Sequence, residues 1–172
     1  MGEIASQDGL YQQATRDYSG ALERLARVYE ADAELCRDLL QEIHVALWRS
    51  FATFNGSCSL RTWIYRVAHN TAISHVARER RRKAGGLVSL EEIEAQPAAN
   101  FDGDRRQQFQ QLMAMVRQLK PIDRQVILAY LEEMDAATIG EITGLSAGNV
   151  AIKVHRIKKI LSRKFLAESS HE

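Results

Sequence analysis

Only two prolines and two cysteines occur in 172 residues. Scarce proline leaves long stretches with an unbroken supply of backbone N–H donors, which favours helix. Cys36 and Cys58 show no CxxC spacing and no nearby pair of histidines, so neither a zinc site nor a disulfide framework is indicated. Both are expected to be small buried residues. His44, His69 and His75 likewise lack a paired ligand spacing, and no metal is expected. No apolar run approaches the ~20 residues that span a bilayer. The start, MGEIASQDGLYQQA, has neither the basic opening nor the apolar core of a signal peptide, so a cytoplasmic chain without membrane contact is expected. Missing too are a phosphate-binding glycine loop, paired catalytic carboxylates and a nucleophile–base arrangement. Their absence argues against an enzyme, a cofactor or a small-molecule substrate.

What is present is a globular composition, 45% hydrophobic and 26% charged. The net charge of +1 conceals segregation into blocks. Arg78, Arg80, Arg81, Arg82 and Lys83 crowd around a single Glu79, and residues 146–166 carry six Lys/Arg and no acid. Residues 91–104 hold Glu91, Glu92, Glu94, Asp102 and Asp104. Charge sorted in this way points to a polyanionic partner.

Hydrophobic periodicity predicts an all-α protein of two small helical domains joined by a flexible linker. Residues 1–16 read as a flexible polar tail. From Tyr18, Leu22, Leu25 and Tyr29 recur at helical spacing, followed by Leu35, Leu39, Ile43, Leu47, Phe51 and Phe54. Asn55-Gly56-Ser57-Cys58-Ser59 is a turn in which Ser59 can cap the next helix. That helix carries RTWIYRVAHN and closes a first domain over 17–83. Trp63 falls near the Leu60–Ile64–Val67 stripe and is assigned to the core, whereas periodicity leaves the side taken by Tyr65 open. Asn70 projects near Arg66, one turn back, and these two with Arg61 are the polar residues of this helix suited to a nucleic acid. Residues 84–107 are a linker by composition, with Ser89 and Glu92 at capping-box spacing. A second domain over 108–166 contains the stripe Leu112, Met115, Val116 and Leu119 and a helix opened by Pro121.

The most diagnostic local pattern is DAATIGEITGLSAGNV, residues 135–150. Asp135 can cap a short helix with Ile139 and Ile142 inward, Gly140 permits close crossing, and Gly144 ends the helix in a left-handed conformation. Ser146 can cap a second helix whose buried stripe is Val150, Val154, Ile157 and Leu161. This is helix-turn-helix patterning, in which the second helix enters the major groove. Asn149, Ile152 and Lys153 would face base edges, and Arg156, Lys158, Lys159, Arg163 and Lys164 would meet phosphates.

The order of DLLQEIHVALWRSFATFNGSCSLRTWIYRVAHNTAISHVARERRR, a linker, and a helix-turn-helix ending NVAIKVHRIKKIL resembles the bacterial sigma-70 family, in particular its extracytoplasmic-function class. The resemblance covers about residues 17–165. It implies a non-catalytic promoter-specificity subunit that binds core RNA polymerase through Asp38, Leu39, Gln41 and Glu42. It implies recognition of an unpaired −10 strand by Asn55, Gly56, Ser57, Arg61, Arg66 and Asn70, with Arg78, Arg80 and Arg81 on the backbone. Ser146, Asn149, Ile152, Lys153, Arg156 and Lys159 would engage a duplex −35 element. An anti-sigma partner follows from the same resemblance. The rival reading is a helix-turn-helix regulator that binds duplex DNA without polymerase.

Overall fold

The computed structural model describes residues 6–83 and 105–169, and every regular element among them is an α-helix. The helices are α1 (Gln7–Tyr29), α2 (Ala33–Phe51), α3 (Leu60–Lys83), α4 (Arg105–Arg117), α5 (Pro121–Leu131), α6 (Ala136–Thr143) and α7 (Ala147–Ser169). The chain divides into two compact units, Met1–Lys83 and Ala84–Glu172. The acidic residues 91–104, Pro97 and the Ser89–Glu92 capping box lie outside the described residues.

In the first unit α1, α2 and α3 all pack on one another. Leu22 and Leu25 from α1, Leu39, Ile43 and Leu47 from α2, and Ile64, Ala68 and Ala72 from α3 are buried at their centre. Each of these stripes repeats at three or four residues, so one side of each helix is removed from water. Asp32 caps α2 by accepting from the N–H groups of Glu34 and Leu35 at 2.9 and 3.0 Å. Those backbone bonds hold its carboxyl below the usual range. Ser59 caps α3, its Oγ 3.0 Å from the Thr62 nitrogen, and Gly56 turns the preceding loop at φ 75°.

Residues 7–16, expected within a flexible N-terminal tail, form the first turns of a helix. α1 begins at Gln7, with Ser6 Oγ accepting from the Gly9 N–H, and Leu10 and Ala14 are buried. Leu10 and Ala14 extend the stripe of Tyr18 and Leu22 backward in steps of four, a signal present in the sequence. Polar contacts fasten this extension to α2. The Trp48 indole donates to Asp8 at 3.0 Å, Gln7 donates to the Trp48 carbonyl at 2.8 Å, and the Tyr11 hydroxyl lies 3.1 Å from His44 Nδ1.

In the second unit α5 meets α6 and α7, and α4 leans on α5 and α7. α4 starts at Arg105, three residues before the expected boundary. Pro121 occupies the first turn of α5, where its missing N–H has no intrahelical acceptor to satisfy. The buried Arg124 donates to the carbonyls of Arg117 and Leu119, covering acceptors that the end of α4 leaves open. Met115, Val116, Val126, Ile139, Ile142, Val150 and Ile157 form the apolar centre.

Candidate nucleic-acid and partner interfaces

On the outer face of α2, Asp38 and Gln41 are both exposed. A shallow groove of about 540 Å³ runs beside them, lined also by Val45, Ala46, Arg49 and Thr71. Val45 and Trp48 are exposed apolar side chains on this helix. Two residues assigned to polymerase docking take other positions. Leu39 is wholly buried, because it belongs to the inward stripe one residue away from Asp38, and no partner can reach it. Glu42 lies on the groove but turns toward α3. Its carboxylate accepts from Arg78 at 2.6 and 2.7 Å and sits 3.2 Å from His75 Nδ1. Burial works to raise the Glu42 pKa, and the hydrogen bonds from Arg78 and His75 outweigh it, leaving the carboxyl below its ordinary value. Arg78, expected on the DNA backbone, is therefore held by Glu42.

The loop before α3 exposes Asn55, Gly56 and Ser57. The Asn55 side chain accepts from the Ser57 N–H at 3.0 Å and fixes a local turn. Trp63 is half-buried, edge-on to Phe54 at 5.3 Å, and donates its indole N–H to Ser50 Oγ at 2.9 Å. Tyr65 is buried, edge-on to Tyr18, with the Arg61 guanidinium 6.0 Å from its ring centre. The open question about Tyr65 thus resolves to the core. α3 lies against both α1 and α2, so its buried surface is wider than one stripe. Arg61 and Arg66 are half-buried, and Asn70 is exposed. Beyond them Arg80 is half-buried and Arg81 exposed.

His69 belongs to the interior of this unit. Its Nδ1 is 2.9 Å from the Tyr29 hydroxyl, and burial pushes its pKa down to about 3. The described residues contain no cluster of three His, Cys, Asp or Glu that could hold a metal ion. Cys36 and Cys58 are half-buried and not joined to each other.

In the second unit Asp135 caps α6, accepting from the Thr138 N–H at 2.7 Å, and that bond lowers its pKa. Gly144 takes φ 79° at the end of α6. Gly140 permits a close approach, but its neighbour is the turn rather than the second helix: a Cβ there would lie 2.6 Å from the Leu145 carbonyl oxygen. Ser146 Oγ accepts from the Asn149 N–H at 3.2 Å and starts α7. Val150, Ile157 and Leu161 are buried, while Asn149, Ile152, Arg156 and Lys159 are exposed. Lys153 departs from the expectation. Its ammonium lies 2.6 Å from Asp123 Oδ1, and only a quarter of its side chain is exposed. Asp123 is a buried carboxylate, and an unpaired charge there would be costly. Arg156 is drawn toward the same carboxylate at 3.7 Å. Sequence reasoning missed Asp123 because its partners stand a whole helix and turn away.

A three-helix unit with a polar outer groove, followed by a helix-turn-helix with an outward basic helix, defines a class of DNA-associated two-domain proteins. Comparison with known families makes it specific. Residues 15–82 match sigma-70 region 2, and residues 109–161 match sigma-70 region 4. The chain belongs to the sigma-70 family, in its extracytoplasmic-function class. It is 31% identical over 124 residues to RNA polymerase sigma-H factor of Pseudomonas aeruginosa, a match covering 70% of this chain and 62% of that protein. It is 26% identical to RNA polymerase sigma factor YlaC of Bacillus subtilis, over 81% of this chain and 82% of the relative. ECF RNA polymerase sigma factor SigM of Mycobacterium tuberculosis is 25% identical over 93% of this chain and 79% of its own length. The same fold occurs in the sigma factor RpoE, solved with the anti-sigma factor NepR from Bartonella quintana. That likeness has a TM-score of 0.67 and 20% identity, and it covers 89% of this chain and 94% of RpoE. CnrH, solved with the cytosolic domain of CnrY, has a TM-score of 0.67 at 21% identity, covering 94% of this chain and 90% of CnrH.

Proposed function

We propose that this chain is a promoter-specificity subunit of bacterial RNA polymerase: it binds the core enzyme, directs it to −35 and −10 elements, and helps separate the strands. The observation that carries the reading is the presence of both sigma-70 regions, in order, in one chain. Each region presents an accessible polar face suited to its role. In the first unit, Asp38 and Gln41 on the α2 groove dock the polymerase. Asn55, Gly56, Ser57, Arg61, Arg66 and Asn70 hold the unpaired strand, with Arg80 and Arg81 on its backbone. In the second unit, Ser146, Asn149, Ile152, Arg156 and Lys159 meet the duplex −35 element. Residues 7–83 and 105–166 act as the two DNA-engaging domains, with 84–104 as the linker. Two tethered contacts reinforce each other through effective concentration, so neither has to be tight alone.

The protein is not an enzyme in this reading; it works in the cytoplasm and is held in check by an anti-sigma partner. Run-off transcription with core polymerase and a randomised promoter library tests it: recovery of a two-element consensus is the expected result. Tight, specific binding to duplex DNA by the protein without polymerase would instead identify a stand-alone regulator.

A further inference from the structure

The first two turns of α7 contain features that the packing of the second unit does not require. Ile152 is 68% exposed, more than any other large apolar side chain among the described residues. At 3.6 residues per turn it lies on the opposite side of α7 from the buried Val150, Ile157 and Leu161. A single exposed isoleucine is ordinary; its surroundings make this one informative. Gly148 stands one turn earlier on the same face, and Ala151 is adjacent and exposed. From Ala147 to Ile152 no side chain carries a charge.

Gly148 also lacks a reason internal to the chain. Its φ is not positive, and a Cβ built on it would meet nothing within 4 Å. Glycine is among the poorest helix formers, so its use here points outside the molecule. Gly140, by contrast, sits against the Leu145 carbonyl. Charge follows the same pattern. The first cation of α7, Lys153, is turned to Asp123, and exposed cations gather further along, at Arg156, Lys159 and Arg163.

We infer that the first two turns of α7 form an uncharged reading surface for thymine C5-methyl groups in the major groove, with Ile152 making the contact and Gly148 clearing room for close approach. The inference rests on the placement of α7 in the −35 element and adds the chemistry that is read there. An aliphatic side chain neither donates nor accepts a hydrogen bond. The thymine methyl is the apolar feature on the major-groove floor; the other base edges present polar groups. A cytosine amine set against Ile152 would lose water without gaining a partner. Asn149, exposed beside this surface, can pair with a neighbouring adenine. Lys159 and Arg163 would hold the phosphates that fix the helix in register.

The test uses the full chain bound to core RNA polymerase and a −35 duplex selected from a randomised library. Each thymine of that duplex is replaced in turn by deoxyuridine, which removes the methyl group and keeps every hydrogen-bonding group. One or two positions are expected to lose roughly threefold to fivefold in affinity, the scale of one buried methyl. Ile152→Ala is expected to abolish that loss while retaining helical content by circular dichroism. Gly148→Ala is expected to bind the duplex more weakly although its melting temperature does not fall; undiminished binding would overturn the close approach. If deoxyuridine is tolerated throughout while Lys159→Ala still weakens −35 protection, methyl reading is wrong and the −35 placement stands. If the holoenzyme gives no −35 protection and neither Ile152→Ala nor Lys159→Ala has an effect, both fail.

Discussion

One guanidinium nitrogen of Arg78 donates to both carboxylate oxygens of Glu42, tying the basic end of α3 to the middle of α2. His75 approaches the same carboxylate from within the unit. A residue suited by sequence to a docking face is thus part of the internal framework of the first unit. The groove beside it keeps Asp38 and Gln41 for a partner.

This relationship separates two substitutions that look equivalent in the sequence. Asp38→Lys is expected to abolish co-purification with core polymerase and leave stability nearly unchanged, because Asp38 is exposed. Glu42→Gln is expected to retain the polymerase and lower stability. Both partners are more than a third exposed, so solvent screening keeps the loss small. The Glu42 pKa is lowered in the folded state. Its contribution is therefore present above the unfolded carboxyl value and lost as pH falls through the lower folded one. Urea denaturation followed by tryptophan fluorescence at pH 7 and pH 3 checks this, since Trp48 and Trp63 both report on the first unit. Loss of polymerase binding by a folded Glu42→Gln protein would return Glu42 to the docking face.

His69 gives the first unit a second pH dependence over a different range. Its pKa is pushed down to about 3 by burial, against about 6.5 for an unperturbed histidine. Between those values the unfolded chain binds a proton that the folded chain does not. Stability therefore falls as pH drops below about 6.5, with a limiting slope of about 1.4 kcal/mol per unit. A loss of about 2 kcal/mol between pH 7 and pH 5 is expected. His69→Phe should flatten that interval while lowering stability at pH 7, because the hydrogen bond between His69 and the Tyr29 hydroxyl is lost. Urea midpoints across pH 5–7 measure the difference.

These two groups also show what was legible in the sequence. Helix stripes, the caps at Ser59 and Asp135, and the left-handed Gly144 all rest on residues within a few positions of one another. Local spacing encodes such features. The Glu42–Arg78 pair joins residues 36 apart, and Lys153–Asp123 joins residues 30 apart. Nothing in either residue's neighbourhood announces its partner. Tyr65 was ambiguous because α3 is covered by α1 as well as α2, so a single apolar stripe does not describe its buried side. Leu39 was misplaced for another reason: the docking pattern runs through consecutive residues, whereas a helix turns about 100° at each, taking Asp38 outward and Leu39 into the core. The same reasoning applied to Leu10 and Ala14 would have found the true start of α1.

Asp123 and Lys153 make the second unit's electrostatics testable through salt dependence. Each phosphate neutralised by a cation adds about −0.9 to the slope of log affinity against log salt. Lys153 is held by Asp123, so Lys153→Ala should leave the slope for the −35 element nearly unchanged. Lys159→Ala should flatten it by about one. Asp123→Asn should release Lys153, steepening the slope by about one while lowering the unit's stability by about 2 kcal/mol through loss of the buried ion pair. Binding isotherms of the holoenzyme between 50 and 200 mM salt distinguish the three variants. A slope flattened by Lys153→Ala would place that ammonium on a phosphate.

Three glycines of the helix-turn-helix predict three different responses to one substitution. At Gly140 a methyl group would lie 2.6 Å from a backbone oxygen, and backbone cannot yield as a side chain can. Gly140→Ala is expected to destabilise the second unit by about 1–3 kcal/mol. At Gly144 there is room, but φ is 79°, so Gly144→Ala is expected to cost about 1–2 kcal/mol in strain alone. At Gly148 there is neither obstruction nor strain. Gly148→Ala is therefore expected to stabilise α7 by up to about 1 kcal/mol. Thermal unfolding followed by circular dichroism gives the ranking, with wild type between Gly148→Ala and the other two. A Gly148→Ala protein less stable than Gly144→Ala would show that Gly148 serves the fold and not an external partner.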